Sequence, residues 1–247
     1  MDPWLTVVTV VKDDPSGLQD TVDSLASGDL SGVEHIVVDG SQEALQFRNL
    51  THAAVVREPP AGIYPAMNTG LSRASGAFVW FLNAGDRVSD EQVLGRVRRE
   101  VDGAVWAYGP VVIESSNGTT VETPAWDYET ERRHYFARGY FPPHQGTFVF
   151  ADTARALGGF DTSYRICADY ALSLRLSKIS KPIELSFPIA RFKEGGISTV
   201  QWRASVREFH RARREILSPT GLSGAVERMH TARQYALLGV YRTLFQK

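Results

Sequence analysis

Short β-branched segments alternate with amphipathic helical segments through the first hundred residues, and this alternation constrains the fold more than any other feature. The first segment, Leu5–Val11, is a run of apolar and β-branched residues, which is typical of a strand covered on both faces. Further strands are predicted at Val33–Asp39, Ala53–Arg57 and 77–82, and helices at 18–28 and 63–75. Strands and helices in this order form a parallel sheet joined by right-handed crossovers.

Residues 101–200 mix strands and helices without that regular alternation. Helices are predicted at 90–101, 153–157 and 169–178, strands at 104–108 and Thr147–Phe150, and a hairpin at 111–123 around Asn117-Gly118. Residues 124–145 are rich in aromatic side chains and have no regular pattern. The predicted fold class is therefore α/β, with one domain over 1–200 whose mostly parallel central sheet is flanked by helices. Residues 201–247 form a helical extension.

This extension differs from the rest of the chain in charge. Residues 201–247 contain nine Lys and Arg against three Asp and Glu, although the whole chain has a net charge of −1. In its first predicted helix the apolar face is formed by Trp202, Val206, Phe209 and Ile216, and the basic face by Arg203, Arg207, Arg211 and Arg214. After a break at 218–221, a second helix is predicted from about 225 to 245, with a stripe of Met229, Ala232, Ala236, Val240 and Leu244.

Three interpretations of the extension stay open. A basic amphipathic helix pair is typical of contact with an anionic membrane surface. The same pattern also suits two helices that pack on the catalytic domain, or the contact of a homodimer.

The composition excludes several classes of protein. With 27 basic and 28 acidic residues in 247, the chain lacks the excess of positive charge on which nucleic-acid binders depend. Its single cysteine, Cys167, excludes an intrachain disulfide and a thiolate zinc cluster. No segment approaches the roughly 18 consecutive apolar residues of a membrane span, and 1–3 do not open a signal peptide. We therefore expect a soluble cytoplasmic protein, with the basic extension as its candidate for peripheral attachment to the inner face of the membrane.

Polar residues follow three of the predicted strands. They are Lys12-Asp13-Asp14, Asp39-Gly40-Ser41 and Asn83-Ala84-Gly85-Asp86. In an open parallel sheet ligands bind at the carboxyl ends of the strands, so we expect these segments to border one site. Carboxylates there suit hydrogen bonds to a nucleobase or ribose, and coordination of a hard divalent cation that bridges a diphosphate. The sequence lacks a G-x-G-x-x-G motif after the first strand and a P-loop motif, which argues against both of those phosphate sites.

Six blocks of sequence resemble the family 2 glycosyltransferases, in the same order and at similar spacings over about residues 4–200. The blocks are VTVVKDDPSGLQDTVDSL, HIVVDGS, EPPAGIYPAMNTGLSRASGAFVWFLNAGD, FPPHQGTFVF, GGFDTSYRICADYALSLRL and FKEGGIS. The similarity is strongest to short bacterial enzymes of exopolysaccharide and glycolipid assembly. It implies a Rossmann-like GT-A domain and inverting transfer of a sugar from a nucleotide-sugar donor, most often UDP-linked, to a hydroxyl of a glycolipid or polysaccharide. It also implies Mn²⁺ or Mg²⁺ as the cofactor.

The resemblance assigns the donor side of the site to residues at the strand ends. Asp39 matches an aspartate that contacts the nucleobase, and Asp86 matches the last residue of the D-x-D motif, which holds the metal ion and the diphosphate. The segment carries a single carboxylate here, and Asn83 offers an amide oxygen to the ribose or the metal. Without the resemblance, Asp39 is an Asx-turn residue and Asp86 is a helix cap.

Two more residues complete the predicted donor-binding set. Lys12 follows the first strand, and Asn68 lies on the helix predicted at 63–75. Relatives usually carry Asp where this chain has Pro65. Proline suits the first turn of a helix, so the fold should be unaffected. The contact that the aspartate would make with the sugar is what the departure puts in doubt. Residues 195–198 resemble the flexible loop that closes over the donor, and the alternative is a surface turn.

The acceptor side is assigned in the same way. Asp169 matches the general base that deprotonates the acceptor hydroxyl, and the alternative is an ordinary first-turn aspartate of a helix. His144 and Gln145 match a pair near the sugar and acceptor, and the alternative is a packed structural histidine.

Two rival functions are kept. A non-catalytic nucleotide-sugar or carbohydrate binding module fits the reduced number of carboxylates. A nucleotidyltransferase would need a Gly-rich basic loop after the first strand, which residues 12–17 match poorly.

Overall fold

The computed structural model describes residues 2–43, 45, 53–57, 61–115, 117–123, 128, 141–196 and 200–245. The chain divides into two compact units. The first contains Met1–Trp126, Pro142–Phe160 and Ser180–Glu194, and the second contains Asp127–Phe141, Asp161–Ile179 and Gly195–Lys247. The domain boundary placed at residue 200 from the sequence stays a prediction.

The first unit contains the strands. They are β1 (Leu5–Val11), β2 (Val33–Asp39), β3 (Ala53–Arg57), β4 (Phe78–Phe81), β5 (Arg87–Val88), β6 (Trp106–Tyr108), β7 (Val111–Glu114), β8 (Thr120–Glu122), β9 (Thr147–Phe150), β10 (Ile183–Glu184) and β11 (Ala190–Lys193). Its helices are α1 (Pro15–Ala26), α2 (Ile63–Arg73), α3 (Val93–Glu100) and α4 (Ala151–Ala156), with a 3₁₀ turn at His144–Gly146. The second unit contains α5 (Ala168–Ile179), α6 (Trp202–Ala212), a π-helical turn (Arg213–Leu217) and α7 (Gly221–Phe245).

The central sheet has seven strands in the order β10-β6-β9-β4-β1-β2-β3. β1 pairs in parallel with both β2 and β4, and β2 pairs in parallel with β3. β9 runs antiparallel between β4 and β6. All seven residues of β1 are buried, as its apolar and β-branched sequence predicts for a central strand. The predicted α/β class with a mostly parallel central sheet is therefore confirmed.

A second, four-stranded sheet has the order β5-β11-β7-β8. β7 and β8 form the antiparallel hairpin expected around Asn117-Gly118. The sequence did not predict β5, β10 or β11, because each is only two to four residues long and too short to show a period.

Several predicted boundaries were wrong by two to four residues. The helix expected at 90–101 begins at Val93, and the strand expected at 104–108 begins at Trp106. The helix expected at 63–75 ends at Arg73, because Ala74 has an extended backbone with ψ 130°. In the extension, the second helix begins at Gly221 rather than near residue 225.

Helix α2 packs closely on the central sheet through Gly70. A Cβ atom at this position would overlap Cγ1 of Val8 and lie 3.1 Å from its Cγ2. The glycine thus lets the backbone of α2 approach β1 closely at this point of the helix.

Within the second unit, a buried ion pair joins the π-helical turn to α7. Nε of Arg213, a fully buried side chain, donates to Glu227 at 2.8 Å, and its Nη2 donates to Thr231 at 2.9 Å. The Glu227 carboxylate also lies 2.8 Å from Nδ1 of His210 on α6. Among the described residues, no helix is long and apolar enough to cross a membrane.

Candidate active site

The carboxyl ends of β1, β2 and β4 border a cavity of about 330 Å³ in the first unit. Its lining includes Lys12, Asp14, Gly40, Asn83 and Ala84 from the strand ends, and Gly62 and Ile63 from the start of α2. A parallel sheet is expected to bind its ligand at this edge. Two of the predicted donor-binding residues, Lys12 and Asn83, therefore face one cavity.

The loops after β1 and β2 are tied together. Asp13 has a left-handed backbone with φ 53°, which is uncommon for a residue other than glycine. Its N–H donates to Oγ of Ser41 at 2.7 Å, and its carboxylate accepts from the N–H of Gln42 at 3.3 Å. This backbone strain lies next to the cavity, where binding sites commonly hold such residues.

Asp39 is buried at the end of β2 and has well-defined partners. One carboxylate oxygen accepts from the N–H of Ser41 at 2.9 Å, and the other accepts from Nη1 of Arg57 at 2.8 Å. Burial opposes ionisation, but the hydrogen bonds from Ser41, Leu45 and Arg57 hold the pKa of Asp39 below its ordinary value. Arg57 is aligned because β2 and β3 pair with Asp39 opposite Arg57. The assignment of Asp39 to the nucleobase stays a prediction.

The turn from Asn83 to Asp86 is held by a buried threonine of α1. The hydroxyl of Thr21 lies 2.7 Å from the carbonyl oxygen of Asp86 and accepts from the N–H of Gly85 at 3.0 Å. Gly85 has φ 91°, a conformation that side chains with a Cβ rarely adopt. Thr21 and Gly85 therefore fix the turn that carries the two polar side chains.

Asp86 is a buried carboxylate in this turn. One of its oxygens accepts from the N–H of Asn83 at 3.2 Å, and the Gln145 side chain also hydrogen-bonds to it. Burial raises the pKa of Asp86 to about 6, although His144, Gln145 and the Asn83 N–H each lower it. A group that brings positive charge to this carboxylate would relieve the cost of its burial.

His144 and Gln145 join this group from the 3₁₀ turn before β9. Nδ2 of Asn83 donates to Nε2 of His144 at 2.9 Å. The indole N–H of Trp80 donates to the carbonyl oxygen of Gln145 at 2.8 Å, which fixes the turn against β4. The structure thus brings together four residues that the sequence assigned to two sides of the site: Asn83, Asp86, His144 and Gln145.

A divalent metal fits the donor atoms of this group in part. Oδ1 of Asn83 is buried and has no hydrogen-bond partner, so a hard oxygen ligand is available near the Asp86 carboxylate. Within the described part of the chain, no cluster of three or more His, Cys, Asp or Glu side chains could hold a metal. Two protein oxygens hold such an ion only when a diphosphate and water supply the remaining ligands.

Asn68 uses both ends of its amide within the first unit. Its Nδ2 donates to the carbonyl oxygen of Phe160, and its Oδ1 accepts from the Phe160 N–H, both at 2.8 Å. These bonds hold the turn that ends at Phe160. The predicted contact of Asn68 with the donor stays a prediction.

Asp169 belongs to the second unit, in the first turn of α5, and is partly exposed. Its Oδ1 accepts from the N–H of Tyr170 at 2.9 Å. Burial raises the pKa of the neighbouring Cys167 thiol, and the negative charges of Asp169 and Glu208 add to this effect. Cys167 is therefore an unreactive packing residue.

Sequence reasoning missed Thr21, Arg57 and Trp80, which orient the site through contacts between distant segments. Only Arg57 left a signal, because pairing β2 with β3 in register places it beside Asp39. Of the predicted loop at 195–198, Gly195 and Gly196 are described, and Ile197 and Ser198 lie outside the described residues.

A cavity at the carboxyl ends of parallel strands, lined here by Lys12, Asp14 and Asn83, is where open α/β sheets bind their ligands. The model of the family described as Glycosyl transferase family 2 matches residues 6–157, which is more than half of the chain. The chain belongs to glycosyltransferase family 2, and the protein is a glycosyltransferase.

Relatives and solved structures agree with this family. An uncharacterised glycosyltransferase of Mycobacterium tuberculosis is 28% identical over 208 residues, which cover 80% of this chain and 78% of the relative. A PGL/p-HBAD biosynthesis glycosyltransferase of Mycobacterium bovis is 26% identical over 184 residues, covering 70% of this chain and 69% of the relative.

Among solved structures, S. aureus TarS 1–349 in complex with UDP-GlcNAc has a TM-score of 0.69 at 15% identity, over 100% of this chain and 76% of that one. The mannosyltransferase PcManGT from Pyrobaculum calidifontis, in complex with GDP-Man and Mn²⁺, has a TM-score of 0.63 at 13% identity, over 97% of this chain and 76% of that one. At these identities the two structures show the shared GT-A fold.

Proposed function

We propose that this glycosyltransferase moves a sugar, with inversion at the anomeric carbon, from a nucleotide-sugar donor to a hydroxyl of a glycolipid or polysaccharide. The proposal rests on four polar residues that contact one another: Asn83, Asp86, His144 and Gln145. Asn83 also lines the cavity at the strand ends. The group holds a buried carboxylate with a raised pKa and an amide oxygen without a partner. Such groups favour a ligand that brings positive charge or hydrogen-bond donors.

The donor would occupy the cavity with its diphosphate near Lys12 and the Asn83–Asp86 turn. Lys12 is exposed at the cavity and supplies a positive charge for phosphate oxygens. Asp39, fixed by Arg57, would contact the nucleobase beyond Gly40. We favour a UDP-linked donor because the family most often uses one. TarS 1–349 in complex with UDP-GlcNAc and PcManGT in complex with GDP-Man have this fold, so a GDP-linked donor is the alternative.

Asp86 and Oδ1 of Asn83 would hold Mn²⁺ or Mg²⁺ together with the donor diphosphate. When bound, the metal neutralises negative charge that develops on the leaving nucleoside diphosphate. Because the protein supplies two oxygens, free metal should bind weakly without the nucleotide.

Asp169 would act as the general base. Its carboxylate takes the proton of the acceptor hydroxyl as that oxygen forms a bond to the anomeric carbon. The bond from this carbon to the diphosphate oxygen breaks at the same time, and the nucleoside diphosphate leaves with the electron pair. Attack opposite to the leaving group inverts the anomeric centre. His144 and Gln145 would contact the sugar or the acceptor.

The acceptor class follows from a relative rather than from the site. The PGL/p-HBAD biosynthesis glycosyltransferase is named for a glycolipid product, which favours a lipid-linked acceptor for this chain.

Hydrolysis of the donor tests the proposal without a known acceptor. UDP-, GDP- and dTDP-sugars are incubated with Mn²⁺ or EDTA, and the released nucleotide is measured for wild type, Asp86→Asn and Asp169→Asn. Asp161→Asn is the matched control, since Asp161 is an exposed acid eight positions before Asp169 in the sequence and accepts from the N–H of Ser163. We expect metal-dependent release from one donor, reduced by about a hundredfold in Asp169→Asn and unchanged in Asp161→Asn.

Calorimetry of nucleotide binding separates the remaining outcomes. Tight binding of a nucleotide sugar with no release, even with polysaccharide or lipid acceptors, would indicate the non-catalytic binding module. The absence of both binding and release would refute the proposal.

We also propose that α7 lies on an anionic membrane surface. Its apolar residues Leu222, Met229 and Leu237 are 82%, 66% and 58% exposed, and the exposed Arg233 lies on the same side of the helix. Basic residues beside an exposed apolar stripe suit the interface of anionic lipids.

Co-sedimentation with vesicles tests this surface in the full-length chain. Wild type should bind vesicles that contain phosphatidylglycerol and not vesicles of phosphatidylcholine alone. Leu222→Glu/Met229→Glu should abolish binding, whereas Val121→Glu, at an apolar position of β8 that is 58% exposed, should not. Dimerisation through the surface that contains Leu222 and Met229, seen by analytical ultracentrifugation and lost in the double variant, would favour the homodimer instead.

A further inference from the structure

A carboxylate of α6 holds the backbone immediately before Asp169. Oε1 of Glu208 accepts from the N–H of Arg165 at 2.9 Å. Its Oε2 accepts from the N–H groups of Ile166 and Cys167 at 2.8 and 3.0 Å. One side chain thus binds three consecutive backbone donors.

These three N–H groups belong to the residues that lead into α5. The carbonyl oxygen of Cys167 accepts from the N–H of Ala171 at 3.0 Å, so the helical hydrogen bonds begin at Cys167. Ser, Thr, Asp or Asn usually stands at this position and supplies an oxygen acceptor, whereas a thiol is a weak one. Glu208 does not replace that acceptor, which would serve the N–H groups of residues 169 and 170. It binds the N–H of Cys167 itself and those of the two residues before it, and its negative charge is favourable near a helix N-terminus.

A second contact of α6 fixes the residue after Asp169. The ring of Phe209 meets the ring of Tyr170 edge to face, with 4.8 Å between their centroids. Tyr170 is fully buried and hydrogen-bonds to the side chain of Arg213. The backbone on both sides of Asp169 is therefore held by residues of α6 and the turn that follows it.

We propose that Glu208 is a positioning residue for the catalytic step: it orients Asp169 by fixing residues 165–167. This inference rests on the proposed role of Asp169 as general base. A misplacement of about 1 Å at a reacting group costs on the order of a hundredfold in rate, so three lost hydrogen bonds beside the base should be visible in kcat.

The test compares Glu208→Ala and Glu208→Gln with wild type in the metal-dependent donor assay. Glu208→Ala should lower kcat by about ten- to a hundredfold and leave the dissociation constant of the donor within about twofold. Glu208→Gln should recover only part of kcat, because its one amide oxygen can still accept from Ile166 and Cys167 while its NH2 cannot accept from Arg165. Glu215→Ala is the matched control, since Glu215 is an acid of the same extension that accepts from the hydroxyl of Tyr164 instead.

Amide hydrogen exchange supplies a readout that does not depend on turnover. The N–H groups of residues 165–167 should exchange faster in Glu208→Ala than in wild type, while Glu215→Ala should leave them protected. Unchanged exchange at these amides would overturn the inference.

The outcomes separate the inference from the function on which it rests. If Asp169→Asn is inactive and Glu208→Ala turns over like wild type, the inference is wrong and the proposed function stands. If Glu208→Ala loses donor binding and kcat together, and Glu208→Gln does not recover them, Glu208 is only structural. If Asp169→Asn is as active as wild type, Asp169 is not the base and the role of Glu208 is refuted with it.

Discussion

Gly70→Ala should destabilise the protein, although alanine is the better helix former. In the middle of a helix, replacing glycine by alanine gains about 0.5–1 kcal/mol, because the unfolded chain has less freedom to lose. At Gly70 the new Cβ would overlap Cγ1 of Val8 and lie 3.3 Å from its Cβ. Val8 is fully buried in the central strand and stiff at χ1, so it cannot rotate away.

Overpacking of this kind costs about 1–3 kcal/mol, so the net loss in the free energy of unfolding should be about 1–2 kcal/mol. Gly95→Ala on α3 is the matched control, since the nearest atom to its added Cβ is Nη1 of Arg99 at 3.8 Å. This variant should gain up to about 1 kcal/mol. The two substitutions are chemically identical and should change stability in opposite directions.

Urea unfolding followed by circular dichroism measures both values. Val8→Ala should cost stability alone but should relieve the overlap, so the double variant Val8→Ala/Gly70→Ala should lose less than the sum of its single variants. Equal effects of Gly70→Ala and Gly95→Ala would show that α2 is not held at the distance on which this reasoning depends.

Three further predictions concern groups that hold the sheet and the site. Thr21→Val should cost about 1–3 kcal/mol in urea unfolding because the carbonyl oxygen of Asp86 loses the hydroxyl that donates to it, and Thr21→Ser should not. Burial lowers the pKa of His35 to about 4, so below about pH 6.5 the unfolded chain binds a proton that the folded chain does not, and stability falls. The free energy of unfolding of wild type should fall by about 2 kcal/mol between pH 7 and 5 from this group alone. His35→Gln should lack that part of the pH dependence. Trp80→Phe should destabilise by about 1–3 kcal/mol, since the carbonyl oxygen of Gln145 loses its donor, and an unchanged midpoint would argue against that bond.

The sheet could be predicted because its signals are local. Each of β1, β2 and β3 contains at least three consecutive β-branched or apolar residues, and the predicted bounds agree with the structure. The strand-end rule then placed Lys12 and Asn83 at one cavity, since it depends only on strand order.

The partners of the site residues could not be predicted in the same way. Thr21 hydrogen-bonds residues more than sixty positions away, and Trp80 reaches Gln145 across a similar separation. Asn68 was assigned to the donor by resemblance, and only the folded chain shows that its amide binds the backbone of Phe160. Such contacts depend on tertiary packing and leave no period in the sequence.

In the helical extension, too, the sequence predicts a pattern but not which side chains are exposed. The apolar stripe of the second helix was predicted from spacing, and the structure shows that Met229, Ala232 and Ala236 are exposed. The side chains of Val240 and Leu244 lie outside the described residues. Residue counts alone could not show which charges face solvent.

The three acids of the extension are all engaged within the second unit. Glu208 binds three backbone N–H groups, Glu215 accepts from the hydroxyl of Tyr164, and Glu227 pairs with the buried Arg213. Among the described side chains of the extension, five arginines are exposed against one acid, Glu215: Arg203, Arg207, Arg214, Arg228 and Arg233. The acids therefore hold the fold while these arginines face solvent, so electrostatic attraction should contribute to any binding of anionic lipid. Such binding should weaken as the salt concentration rises, whereas a dimer formed by the apolar stripe alone should not.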